Sequence, residues 1–241
     1  MAWEKAWKPA WTRLSDGGGA ASGPVPYDLA LEFDGANGAT TFPDTSGNNR
    51  AIAPAGNAQV STTSPKYGTG SLSLDGTGDW VTATGSTGLC GFGTGPGTIA
   101  FWFKLNSTTG TQVIFDSHAF GAGVTQSAIG LYFTESDGYK VFFFATGANR
   151  ISGTTALSTG TWYHLAWCRD VGGCTRLFLD GTQEGSTYAD GTNYAAATDR
   201  PIIGRNGNDT NSPVNGYIDS LIVSSVSLYT ANFTPPTSAY T

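Results

Sequence analysis

The stretch that most constrains this chain is Thr161–Gly181, TWYHLAWCRDVGGCTRLFLDG. Trp162 to Arg169 is an apolar, aromatic run of strand length, Asp170–Gly173 supplies a reversal, and Thr175–Leu179 is a second strand. Asp180-Gly181 then offers the positive φ values that a tight primed hairpin turn requires. A lone hairpin with apolar residues on both faces does not persist in water. It needs a second sheet above it, and the remaining chain is expected to furnish one.

That expectation holds along the sequence. Leu29, Leu31 and Phe33 alternate onto one side of a strand. In TIAFWFKL (98–105), Ile99, Phe101 and Phe103 share one face and Trp102 takes the other. Further strand-length runs lie at Ser71–Gly76, Gln112–Asp116, Pro201–Gly204 and Gly216–Val226, and a hairpin runs from Ser127 to Ala145 around Glu135–Gly138. Turn residues separate nearly all of them, which gives about a dozen strands and, inside the domain, no helix beyond a single turn at most. The runs at 98–105, 162–168 and 217–223 are apolar on both faces, as central strands are. Pro65, Pro201 and Pro213 fall at strand starts or in loops, where a missing N–H does no harm. The pattern predicts an all-β fold, a two-sheet antiparallel jelly-roll sandwich. Charged residues make up only 12% of the chain and glycines number 34, which suits many turns and few helices.

Residues 1–26 read differently. Trp3, Trp7 and Trp11 are spaced by four, but Pro9 interrupts a continuous helix. SDGGGAASGPVP (15–26) is a linker, flexible first and stiffer last. Three indoles outside a globular unit need covering. They form either a peg that docks into another protein or a tail folded back on its own domain, which takes residues 27–241. No apolar signal-peptide core opens the chain, and no stretch approaches the ~20 apolar residues of a membrane span, so membrane insertion is not expected. A net charge of -6 argues against a nucleic-acid partner. The three cysteines are expected as free thiols, although Cys168 and Cys174 flank one reversal and a bridge between them is the alternative.

Five segments carry a resemblance: 29–49 (LALEFDGANGATTFPDTSGNN), 71–80 (SLSLDGTGDW), 98–105, 162–181 and 216–229 (GYIDSLIVSSVSLY). In that order they resemble the laminin G-like, concanavalin A-like jelly-roll domains, most of all the single-domain type often encoded in bacteriophage virion genes. The resemblance implies a virion-surface protein, a capsid decoration or fibre, fastened to other virion proteins by Trp3, Trp7 and Trp11 and made in the host cytoplasm. Such proteins commonly form symmetric assemblies, so homo-oligomers are expected. The fold itself hosts lectins, glycosidases and structural caps alike.

Retaining glycosidases of this fold need two carboxylates about 5–5.5 Å apart. The four glutamates are Glu4, Glu32, Glu135 and Glu184, and none has a second acid four or five residues on in a strand. Glu135 and Asp137 sit in a turn. No catalytic constellation is found, and a non-enzyme is expected; a hydrolase with acids from separate loops, or a free-standing lectin, is the alternative. For host-surface glycans the candidate loops are 118–127, 185–199 with Tyr188 and Tyr194, and 206–212 with Asn206, Asn208 and Asp209. A structural calcium, frequent in the resembled class, would take Asp44 and Asn48 with Asp34 and Asp219. Ordinary Asx turns would explain the same loop.

Overall fold

The computed structural model describes residues 27–209 and 211–240; the anchor tryptophans Trp3, Trp7 and Trp11 lie outside the described residues. The first strands are β1 (Leu29–Leu31), β2 (Ala51–Ala55), β3 (Gln59–Ser61), β4 (Ser71–Asp75) and β5 (Trp80–Thr84). Then follow β6 (Gly97–Leu105), β7 (Thr111–Asp116), β8 (Gly130–Thr134), β9 (Lys140–Ala145) and β10 (Ala148–Ser152). The last are β11 (Trp162–Arg169), β12 (Cys174–Leu179), β13 (Thr182–Ala189), β14 (Ile202–Ile203) and β15 (Asn215–Ser224). One 3-10 turn, Glu135–Asp137, is the sole helical element among the described residues.

The strands form two antiparallel sheets. One runs β13-β12-β11-β6-β15-β4-β3, with β1 also paired to β15; the other runs β10-β9-β8-β7-β14-β5-β2. This is the all-β jelly-roll-like sandwich that the alternation predicts. The three doubly apolar runs are β6, β11 and β15, and they lie side by side in the middle of the first sheet. The organising hairpin closes as expected, with φ of 49° at Asp180 and 76° at Gly181. Pro54 lies within β2, an edge strand of the second sheet, where one neighbour is absent.

Alternation decides which side chains meet. Ile99, Phe101, Phe103, Leu165, Trp167 and Leu177 of the first sheet face Val81, Phe115, Leu131, Phe133, Val141 and Phe143 of the second in one core. The outward residues Ala30, Ala100, Ala166, Phe178 and Ile222 form a second cluster, and the C-terminal segment covers it. Tyr240 hydrogen-bonds the His164 ring at 2.7 Å and donates its N–H to Ser220 Oγ at 3.0 Å. Tyr229 and Phe233 stack with ring centroids 3.6 Å apart. His164 is fully buried in this layer, and burial with the nearby Lys66 lowers it to about 3. The outer face of the first sheet is therefore closed by the chain itself.

All three cysteines are free. Cys168 stands opposite Arg176 in the β11–β12 register rather than opposite Cys174. Segment 185–199 departs from the predicted loop: β13 runs on to Ala189 before the chain turns.

Candidate functional site

The second sheet presents its outer face to solvent, and the candidate site is a cavity there. Cross-strand register sets Thr82, Ile202, Asp116, Gly130, Phe144 and Asn149 in one row over six strands. Val113, Tyr132 and Phe142 form the row beside it. A cavity of about 200 Å³ opens on these rows, walled by Val113, Tyr132 and Phe144 and edged by Asp116, His118 and Asn208. Tyr132 stacks on Phe142 at 5.1 Å and donates its hydroxyl to Asn149 Oδ1 at 2.8 Å, so the ring is held in place.

Two loops far apart in sequence build the polar rim. The Gly121 N–H donates to the Asn208 carbonyl at 2.9 Å, and the Gly123 N–H to Asn208 Oδ1 at 2.8 Å. Asp116 ties both loops to the sheet. Its Oδ1 accepts the His118 N–H at 2.7 Å and pairs with His118 Nδ1 at 2.7 Å; its Oδ2 accepts the Gly207 N–H at 3.0 Å. Arg200 clamps the same junction from below, donating to the carbonyls of His118, Asp199 and Gly207. With Nδ1 committed to Asp116, the His118 ring has only Nε2 left to meet a ligand. That atom is buried and has no partner, although His118 is only 3% exposed. A buried nitrogen without a partner costs free energy until a ligand supplies one.

Of the predicted glycan residues, Asn206 and Asn208 line this cavity. Asp209 sits beyond it, in an Asx turn that accepts the Asn211 N–H at 3.1 Å. Tyr188 and Tyr194 do not belong to it. Tyr194 is 1% exposed, packs edge-on against Trp167 at 5.8 Å and donates to Asp190 Oδ2 at 2.7 Å. Tyr188 lies on β13 against Phe143, with the Arg150 guanidinium 5.4 Å over its ring. A tyrosine in a polar segment reads as a platform, but Tyr194 is buried inside the sandwich and Tyr188 packs half-buried against its core. His118 falls in the predicted candidate loop 118–127, whereas Tyr132, Phe144 and Asp116 were missed. The outward alternation of Gly130 and Tyr132 was the available signal, since two outward residues flank the inward Leu131.

The predicted calcium ligands are not brought together. Asp44 accepts the N–H groups of Ala30 and Ser46 on Oδ1 and that of Arg50 on Oδ2. Asn48 turns its amide NH₂ onto the carbonyls of Tyr27 and Asp28. Both belong to Asx-turn and loop chemistry. Asp34 spends Oδ1 on Thr69 and Gly70. Among the described residues, no group of three or more His, Cys, Asp or Glu is placed to hold a metal. Asp219 differs: its Oδ2 accepts from the Lys66 and Tyr67 N–H groups, the Ser220 backbone N–H lies beside the carboxyl, and the buried Oδ1 makes no closer hydrogen bond. The neighbouring, buried Glu32 has only the Ser220 hydroxyl beside its carboxyl. Burial pushes both carboxyls up to about 7, and Asp34 adds repulsion to each.

Similar proteins place the chain. Domain 4 of AbnA, a GH43 extracellular arabinanase from Geobacillus stearothermophilus in complex with arabinotriose, has a TM-score of 0.61 at 14% identity, over 86% of this chain and 96% of that one. Botulinum neurotoxin type C, whose cell entry is dependent upon interaction with two ganglioside molecules, has a TM-score of 0.58 at 15% identity, over 85% of this chain and 49% of that one. Trypanosoma rangeli sialidase in complex with 2,3-difluorosialic acid has a TM-score of 0.57 at 12% identity, over 85% of this chain and 31% of that one. At these identities the likeness is one of fold. The chain thus spans nearly all of the arabinanase domain but half or less of the toxin and the sialidase. No curated protein matches the chain. The profile of one family matches residues 75–232, well over half of the sequence, and the chain belongs to that family, the concanavalin A-like lectin/glucanases superfamily.

Proposed function

We propose that this protein is a non-enzymatic glycan-binding module carried on a virion surface, with residues 1–26 fastening it to other virion proteins. The observation that carries the binding half is the cavity with Tyr132 and Phe144 as walls and His118, whose Nε2 is buried and unpartnered, among its lining residues. Sugar sites pair an apolar platform with a few fixed polar groups aimed at hydroxyls, and this cavity has both. Arabinotriose and gangliosides in proteins of the same fold support the same ligand class. The cavity's one carboxylate, Asp116, is committed on both oxygens, which supports binding over hydrolysis. The virion half rests on the five-segment resemblance and on the three tryptophans ahead of a linker.

Gly130 provides the test. It lies in the row between Asp116 and Phe144, and a Cβ there meets only ordinary contacts, the nearest at 3.7 Å. Gly130→Val fills the cavity without straining the strand. Glycan-array signal is expected to vanish in this variant while the melting temperature stays within a few degrees. Binding that survives Gly130→Val sinks the assignment of the site. For the virion half, a chain lacking residues 1–26 is expected to stay folded and to lose attachment to particles in a sedimentation assay; retained attachment removes the anchor.

The calcium expectation moves with the geometry. If an ion is bound, Glu32 and Asp219 are the carboxyls with oxygens left over for it, because Asp44 spends both oxygens on backbone N–H groups and Asn48 turns its amide onto carbonyls. Added Ca²⁺ is expected to raise the melting temperature, and Glu32→Gln to abolish the rise. An unchanged temperature in the unsubstituted protein rejects the ion.

A further inference from the structure

Beside the cavity, on the same outer face, stands an arginine that has no counterpart elsewhere in the described chain. Trp80 on β5 points outward with Thr82, because Val81 and Ala83 between and beyond them fill the core. Arg205 follows β14 and comes one residue before Asn206 of the cavity wall. Its guanidinium carbon lies 3.1 Å over the centre of the Trp80 ring, so the cation rests on the indole face. Among the described residues it is the only arginine whose guanidinium makes no hydrogen bond. Arg169 and Arg176 pair with Asp190 and Asp170, while Arg50, Arg150 and Arg200 donate to backbone carbonyls. Arg205 Nε is moreover buried and unpartnered.

This arrangement costs the protein free energy. Stacking fixes a flexible side chain, desolvates part of it, and sets it near a second cation, Arg200, with no carboxylate opposite. The carboxylates acting on Arg200 are both engaged: Asp116 by His118 and the Gly207 N–H, and Asp199 by the Gly85 N–H. A pre-oriented guanidinium with free N–H groups matches the planar, two-oxygen geometry of a carboxylate, and it accepts sulfate oxygens equally well. Resting on the glycan-binding reading, we propose that the bound glycan is acidic and that Arg205, laid on Trp80, holds its carboxylate or sulfate while the cavity holds the adjoining sugar ring.

The test uses the full chain on an array bearing neutral, uronate-, sialate- and sulfate-containing oligosaccharides. Hits are followed by interferometry with the unsubstituted protein, Arg205→Gln and Arg205→Lys. Acidic members are expected to dominate, and the uronate and sialate spots against the sulfate spots tell which anion is taken. Arg205→Gln is expected to weaken acidic ligands by about ten- to a hundredfold. Neutral ligands should change less than about twofold, and Arg205→Lys should restore only part of the loss, because an ammonium keeps the charge but not the fork. Equal binding of neutral and acidic members, or an Arg205→Gln protein that binds acidic ligands unchanged, overturns the proposal and leaves the glycan reading standing. If no member binds the unsubstituted protein, both fall. Melting curves of each variant confirm that a loss of binding is not a loss of fold.

Discussion

Glu184 shows how one side chain fixes a loop. It is 2% exposed, and its carboxylate accepts hydrogen bonds from the Thr155 hydroxyl at 2.6 Å, the Thr155 N–H at 3.0 Å and the Thr154 hydroxyl at 3.0 Å, with the Thr154 N–H beside them. Burial pulls this carboxyl up, but the donors together outweigh burial and hold it below the usual range. A carboxyl depressed in the fold contributes stability above its unfolded value and loses that contribution as pH falls through the folded one. Glu184→Gln is therefore expected to cost about 1–3 kcal/mol at pH 7, with the gap closing below pH ~4. Urea melts at both pH values measure it, and a gap that persists in acid would show the loss to be one of packing. The sequence marked Glu184 only as an acid without a partner acid; its role depends on threonines 30 residues away in the chain. His118 is the same kind of case. Nothing near it in sequence announces an unpaired ring nitrogen, because the burial comes from Arg200 and Gly207.

At the scale of elements, the turn chemistry was legible. Asp180-Gly181 takes the left-handed values that its dipeptide predicts, and the strand alternation in β6 sorts Ile99, Phe101 and Phe103 from Trp102 as expected. Local sterics and a two-residue period decide both, so neighbours in sequence suffice. The hairpin also does something the sequence does not announce. Gly181 accepts the Phe233 N–H at 2.9 Å, and a Cβ at Gly181 would collide with the Phe233 carbonyl oxygen. Gly181→Ala thus strains a positive φ and pushes the C-terminal segment off the sheet. A loss of about 1–3 kcal/mol is expected in chemical denaturation, larger than for the same change at Gly138, whose left-handed turn has open space around it. The reading of 185–199 as loop failed for the complementary reason. Thr182–Ala189 is a half-exposed strand of polar residues, and its partner β12 supplies the order that its own composition lacks.

For the molecule as a whole, the two sheets have unequal outer faces. The first is covered by Tyr229, Phe233 and Tyr240 of the same chain, and the second is left to present the cavity and Arg205. Removing residues 227–241 is expected to uncover Ala100, Ala166, Phe178 and Ile222 and to leave His164 without its Tyr240 partner. Such a protein should melt several degrees lower and bind a hydrophobic dye, while any glycan binding per folded molecule stays unchanged. Loss of binding in parallel with the fold-covering layer would place the site on the wrong sheet.

The sequence alone determined that this chain is an all-β sandwich, where its central strands lie, and which dipeptides turn it, because each of these depends on dihedral preferences and alternation within a few residues. Only the tertiary structure decided where a ligand can sit. It buried Tyr194, put Asp44 and Asn48 to work on backbone groups, and brought loops 118–127 and 206–212 together over a sheet row whose members are far apart in the chain. Register and sheet order carry that information, and both are set by packing between strands distant in sequence rather than by any local pattern.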